Sequence, residues 1–279
     1  MPRKKEFSTE ISQVYPDKII LRGFDLCDDI MGRISFGDAV FITLTGRKPT
    51  KQESVLTNAI LASGIDHGIT PSAMVARLIN NGAPEAFQAA VSGGLLSLGD
   101  QFGGVIEMSA RMLQEGVSLI HSEKRPAREI AISVVADYSS KQTRIPGLGH
   151  LLHRSEDPRT RRLFEIARKV RLLGEHTALM ELIAREASAK RERELSINVN
   201  GAIGALISDM GFHWSVGKSF FLIGRTAGLA AHVMEERENH MAWTPIKLSG
   251  YVEKPAREGA KRTGRRSRVT SREQKPAGK

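Results

Sequence analysis

The chain of 279 residues is predicted to be all-α, and three observations carry that prediction. Apolar residues recur at helical spacing between residues with the chemistry of helix starts and stops. Alternating strand patterns are scarce. With only 5% aromatic residues, Leu, Ile, Val and Ala are left to fill the interior. In "GITPSAMVARLINNG", Thr70 is placed to cap a helix, Pro71 suits its first position, and Gly82 is expected to supply the left-handed turn after its end. "SEDPRTRRLFEIARKVRLLG" repeats the plan: Asp157 and Pro158 at the start, Leu163, Ile166, Ala167 and Val170 on one face, Gly174 at the stop. A further helix runs through Leu179, Leu182 and Ile183, whereas "AISVVADY" is too short and isolated to define a sheet.

The helix expected near 216–235, "VGKSFFLIGRTAGLAAHVME", places Lys218, Arg225 and His232 seven residues apart on one side, beside a stripe of Gly224, Gly228 and Ala231. Spaced charges commonly mark a solvated edge. Arg225, however, has apolar residues in the turns around it, and a desolvated guanidinium needs an anionic partner that nothing nearby in sequence supplies. The glycine-dense runs "SGGLLSLGDQFGG" (92–104) and "IPGLGH" (145–150) are loops or helix ends where backbone approaches something closely. Tight helix packing and ligand approach both fit them.

Composition bounds the function. The net charge of +10 is concentrated at the end of the chain: residues 253–279 hold ten Lys/Arg against three Glu, leaving +3 for residues 1–252. A nearly balanced body argues against nucleic acid as a partner, and the tail reads as a disordered solubilising extension. Cys27 is the lone cysteine, so an intrachain disulfide is impossible, and no Cys/His spacing suits a metal. No apolar run has the length of a membrane span, and "MPRKKEFSTEIS" lacks the apolar centre of a signal peptide, so a cytoplasmic location is expected.

The most loaded stretch is "IPGLGHLLHRSEDPR" (145–159). Arg159, like Arg225, suits a two-pronged grip on a carboxylate, and His150 follows a turn that presents its ring. Two arginines and a histidine point to a carboxylated substrate, with a surface ion pair as the plainer alternative for each arginine. His121, His153, His176 and His213 have nothing in sequence to pair them with a base or ligand. Asp100 and Asp209, beside glycines or near them, suit turns or caps.

In order along the chain, "TLTGRKPT", "DHGITPSAMVAR", "GLGHLLHRSEDPR", "LSINVNGAIGALISDMG" and "GRTAGLAAHVMEE" resemble the citrate synthase superfamily over roughly residues 20 to 250. "GGLLSLGDQFGG" is most similar to the citryl-CoA lyases and the citrate-synthase-like domain of ATP-citrate lyase, in which a phenylalanine, here Phe102, stands where citrate synthase has a catalytic histidine. The resemblance implies a helical two-domain homodimer, with residues 1–103 and 215–252 forming a large domain and 104–214 a small one. It implies a cleft holding a coenzyme A thioester and a carboxylate, with no tightly bound cofactor and no metal. By motif position, His150 and Asn200 are the catalytic candidates. His67, Arg159 and Arg225 are expected to bind substrate, Phe102, Gly103 and Gly104 to line the cleft, and Pro146, Gly147 and Gly149 to meet coenzyme A. Two departures stand out. Asn200 replaces the family's catalytic aspartate, and "MAWTPIKLSGY" lacks the arginine that citrate synthase contributes from its partner subunit, leaving Thr244 or Lys247 near that position.

Overall fold

A computed structural model describes residues 8–100, 103–150, 155–192 and 194–239. They form a small antiparallel sheet followed by ten α-helices. The sheet, absent from the sequence expectation, joins β1 (Ser12–Val14), β2 (Ile19–Leu21) and β3 (Phe24–Asp25), with Ser12 opposite Leu21 and Ile20 opposite Asp25. Strands of two or three residues are too short to show alternation in sequence.

The helices are α1 (Phe36–Thr45), α2 (Lys51–Ser63), α3 (Pro71–Gly82), α4 (Phe87–Leu96), α5 (Val105–Glu123), α6 (Ala127–Ser140), α7 (Pro158–Lys169), α8 (Glu175–Arg191), α9 (Val199–Asp209) and α10 (Gly217–Asn239). Their starts follow the predicted chemistry: Thr70 Oγ1 accepts from Ala73 N, and Asp157 caps α7. Two stops differ. Gly82 is the last residue of α3 and not the turn after it; the helix is capped at Ala83 because the following Pro84 disfavours helical geometry there. Gly174 instead begins α8, and Arg171 takes the left-handed turn after α7 at φ 58°. That turn lets Leu172 pack back on the core.

At the start of α2, Thr50 and Glu53 form a reciprocal capping box, and Glu53 also receives both Nη1 and Nη2 of Arg47 at 2.9 and 2.5 Å. The Arg47 hydrogen bonds hold the Glu53 carboxyl at about 2 against an ordinary 4.5, with burial opposing and Thr50 adding to the shift. A depressed carboxyl stabilises the fold above its unfolded value, and that contribution is lost as pH falls from about 4.5 through about 2. Acid titration followed by circular dichroism is therefore expected to show a shallower loss of stability over this range in Glu53→Gln than in the wild type.

Three apolar clusters make the interior. The first joins Leu56 and Ile60 of α2, Ile106 and Ala110 of α5, Leu163 of α7, Ile203 and Leu206 of α9, and Phe220 and Phe221 of α10. It therefore draws on both sides of the expected boundary at 103/104. The second packs the far half of α5 on α6 and α8 through Leu113, Ile130 and Ile183, and the third seats α3 and α4 on α10 through Ala76, Val91 and Leu229. Helices α5 and α10 thus each run through two clusters. The residues of interest lie on α10, at the starts of α7 and α9, and in the loops that carry His67 and His150.

Candidate active site

Arg225 lies mid-way along α10 and is only 3% exposed. Its Nε donates to the Gly64 carbonyl at 3.0 Å, and Nη1 reaches Thr70 Oγ1 and Ser72 Oγ at 3.3 and 3.4 Å. All three acceptors are neutral, and among the described residues no carboxylate pairs with the guanidinium. Burial pulls its pKa down, the Asp66 charge opposes this, and the positive charge of Arg159 adds to the depression. A desolvated cation with neutral acceptors and a like charge close enough to feel is short of a negative partner.

Arg159 stands at the first turn of α7, 19% exposed at its side chain. The sequence expectation gives its fork to a substrate carboxylate. The structure gives that fork to Asp157, with Nε to Oδ1 at 3.0 Å and Nη2 to Oδ2 at 2.9 Å. This corrects the expected mode of grip: a guanidinium has five N–H donors, so a ligand would meet the remaining edge and not the one Asp157 holds. Asp157 is fully buried and also accepts from the Val199 N–H at 3.1 Å, tying α7 to the start of α9. Burial pushes its carboxyl up, but the Arg159 side chain and the N–H groups of Arg159 and Val199 outweigh that and hold it below the usual range. Asp157 thus serves as both cap and brace. The sequence implies only the cap.

The segment before His150 is held by α9. Gly147 O accepts from Asn198 N at 2.9 Å, Gly149 N donates to Ser196 O at 2.7 Å, and Asn198 Nδ2 donates to Gly149 O at 2.8 Å. The other end of the Asn198 amide, Oδ1, accepts from Asn200 N and Gly201 N, so one side chain caps α9 and fixes the turn that presents His150. Sequence reading missed Asn198; its signal was an N-cap residue directly before an apolar run. Gly147, at φ +86°, sits against the Gly201 backbone, where a Cβ would fall 2.5 Å from Gly201 Cα. Pro146 and Gly147 are buried, while Gly149, at φ +75°, has open space where a Cβ would be. Gly147→Ala combines left-handed strain with overpacking and is expected to cost about 3 kcal/mol in urea unfolding.

The turn so built sets the His150 ring 5.2 Å from that of His67, edge to face. Asn200, in the first turn of α9, has a buried Oδ1 with no hydrogen-bond partner among the described residues. Gly103 and Gly104 are buried, Gly103 beside Phe221 and Gly104 folded over Asp100. Phe102, Thr244, Lys247, His153 and the basic tail lie outside the described residues. Of the other candidates, Lys218 faces Asp100 and Glu107 at 3.8 and 3.9 Å, and His121 pairs with exposed Glu175. Asp209 binds His176 and the amides that open α8, the cap role expected of it. Among the described residues no cluster of His, Cys, Asp and Glu could hold a metal, and no helix is long and apolar enough to cross a membrane.

His67 and His150 therefore meet directly, Arg225 feels Arg159, and Asn200 starts the helix whose cap holds the His150 turn. What these groups can do chemically is hold an anion through the arginines and offer two imidazoles to an oxygen on it.

Residues 8–246 match the family profile described as citrate synthase, C-terminal domain. The solved structure of citryl-CoA lyase from Hydrogenobacter thermophilus is 38% identical, superposes with a TM-score of 0.79, and is matched over 90% of this chain and 96% of its own. A probable ATP-citrate synthase of Dictyostelium discoideum is 27% identical over 80% of this chain, and citrate synthase of Heyndrickxia coagulans is 26% identical over 77%. This chain spans only 37% and 56% of the lengths of those two curated relatives.

Proposed function

The chain belongs to the citrate synthase family, and from that premise we propose that it cleaves citryl-CoA to acetyl-CoA and oxaloacetate, or runs the reverse condensation. The observation that carries this reading is the buried Arg225, left without a carboxylate partner among the described residues and within reach of the charge of a second arginine, together with two imidazoles that meet edge to face. A polycarboxylate supplies what these groups lack.

Cleavage is a retro-aldol step. The tertiary hydroxyl of the citryl group loses a proton, the adjoining carbon–carbon bond breaks, and its electron pair collects on the thioester oxygen as an enolate. The enolate carbon then takes a proton to become the acetyl methyl group, and the hydroxyl carbon becomes the ketone of oxaloacetate. In this reading His150 polarises the substrate oxygen or exchanges its proton, because imidazole titrates near neutrality. Arg159, braced by Asp157, and Arg225 hold carboxylates and so orient the breaking bond. His67 adds a hydrogen bond. Asn200 contributes an amide that donates or accepts but has no basicity, so the methyl proton is not exchanged through residue 200. Gly149, with open space at its Cα, fits close approach of coenzyme A better than buried Pro146 and Gly147 do.

Incubating the purified protein with citryl-CoA and following acetyl-CoA and oxaloacetate tests the assignment. Appearance of both products is expected; absence of both from folded protein rejects it. Asn200 favours one alternative, a homologue that binds the thioester and citrate without turnover, and calorimetric binding with no product formed would mark that outcome. We also expect a homodimer, as Leu96 and Ile69 are 87% and 68% exposed. A monomeric mass by light scattering would contradict it.

A further inference from the structure

Of the heptad-spaced residues that the proposed chemistry leaves unused, His232 is the more buried, with its side chain 11% exposed against 31% for Lys218. Two nitrogens of Arg77, Nε at 3.2 Å and Nη2 at 2.9 Å, converge on its Nδ1, and its Nε2 lies 3.0 Å from Asp66 Oδ1. A guanidinium only donates, so Nδ1 must accept. The ring proton then resides on Nε2 and is donated to Asp66. Glu235, 4.0 Å from Nδ1, is beyond hydrogen-bond reach.

The root of this line is rigid. Arg77 and Glu236 are 3% and 0% exposed, Arg77 Nη1 donates to Glu236 Oε2 at 3.1 Å, and Asn81 donates to the other Glu236 oxygen at 2.9 Å. Glu235 also pairs with Arg77. The far end of the line is Asp66, directly before His67. Its carboxylate accepts from Gly68 N at 2.9 Å and from the His67 N–H, so the two amides that bracket residue 67 close on one anchored group.

Successive turns of α10 fasten successive residues of this loop. Arg225 takes the Gly64 carbonyl. Gly228 lies so close to Ile65 that a Cβ there would overlap the Ile65 carbonyl oxygen. His232 takes Asp66. The predicted small-residue stripe therefore lets α10 approach the loop, and the polar residues beside it fix the loop in register.

We propose that His232 is a positioning residue: through Asp66 it sets the place of the His67 ring against His150, with the Glu236–Arg77 pair as its buried anchor. The kinetic part of this inference rests on the citryl-CoA reading; the geometric part does not.

Long-range proton–nitrogen NMR spectra of protein carrying 15N-labelled imidazoles test the geometry without turnover. His232 is expected as the Nε2–H tautomer, and the Nδ1–H tautomer would overturn the proposal. In His232→Phe the His67 ring signals should shift, and His232→Gln, whose carboxamide can donate to Asp66, should return them towards the wild type. Unchanged His67 signals in folded His232→Phe would refute the link; if that variant does not fold, the wild-type tautomer and His232→Gln decide. In citryl-CoA cleavage, His232→Phe should lower kcat/KM by about tenfold or more in otherwise native protein and by less than about threefold in a His67→Ala background. Equal losses in both backgrounds leave His232 a structural part only. A native protein inactive on citryl-CoA would instead defeat the functional reading, with the spectra still deciding this one.

Discussion

Arg225→Met is expected to lower kcat/KM for citryl-CoA by about 100- to 1,000-fold, about 3 to 4 kcal/mol of lost transition-state binding, while changing unfolding free energy by no more than about 2 kcal/mol. The two effects separate because the guanidinium is a poor stabiliser. It is buried, its protein acceptors are the neutral Gly64 carbonyl and two hydroxyls, and Arg159 repels it. Replacing it with an apolar chain of similar length removes a desolvated charge, which stabilises, and strips the Gly64 carbonyl of its donor, which costs about 1 to 3 kcal/mol. These terms roughly offset. Asp66 loses the attraction of a charge it does not contact, whereas the ligand loses its direct partner. Steady-state kinetics and chemical denaturation on the same preparation check both halves, and a large loss of stability with binding intact would mean Arg225 is structural.

Asn200→Asp is the second large effect, and it is a gain. With oxaloacetate bound, exchange of the acetyl-CoA methyl protons with deuterated solvent should rise by about 100-fold or more, because a carboxylate can act as the base that an amide cannot. Residue 200 stands in the first turn of α9, held by the Asn198 cap, and its Oδ1 has no partner within the described protein. The backbone around it is already fixed from both sides, by Asn198 and by the Asp157 contact to Val199. A substituted carboxylate therefore inherits a defined place. Exchange monitored by proton NMR that stays at the wild-type rate would show that residue 200 does not face the thioester methyl.

Much of this was legible in the sequence, for physical reasons that can be named. Helix starts were readable because caps act within three residues: Thr70 and Asp157 do in space what their neighbours in sequence imply. Helix stops were less so. Gly82 and Gly174 satisfied the local rule, yet Pro84 and the burial of Leu172 decided the ends. The charged members of the site were readable because a mid-helix arginine in apolar company is rare without a cause. What sequence could not display was the bracing. Asp157 grips Arg159 from two residues away, but its bond to Val199 spans 42 positions, and His232 reaches Asp66 across 166. Such links follow from the fold as a whole. The glycine runs were open between packing and ligand approach, and the structure divides them: Gly94 and Gly147 serve close backbone contact, while Gly149 has room beside it.

The central claim is that the junction of α7, α10 and the His67 and His150 turns is completed by a carboxylated anion. A crystal structure with citrate bound tests it most directly. The account predicts one carboxylate against Arg225, another against the free edge of Arg159, and the citrate hydroxyl within hydrogen-bond reach of His150. Citrate bound elsewhere, with Arg225 paired to a carboxylate of the protein itself, would contradict it.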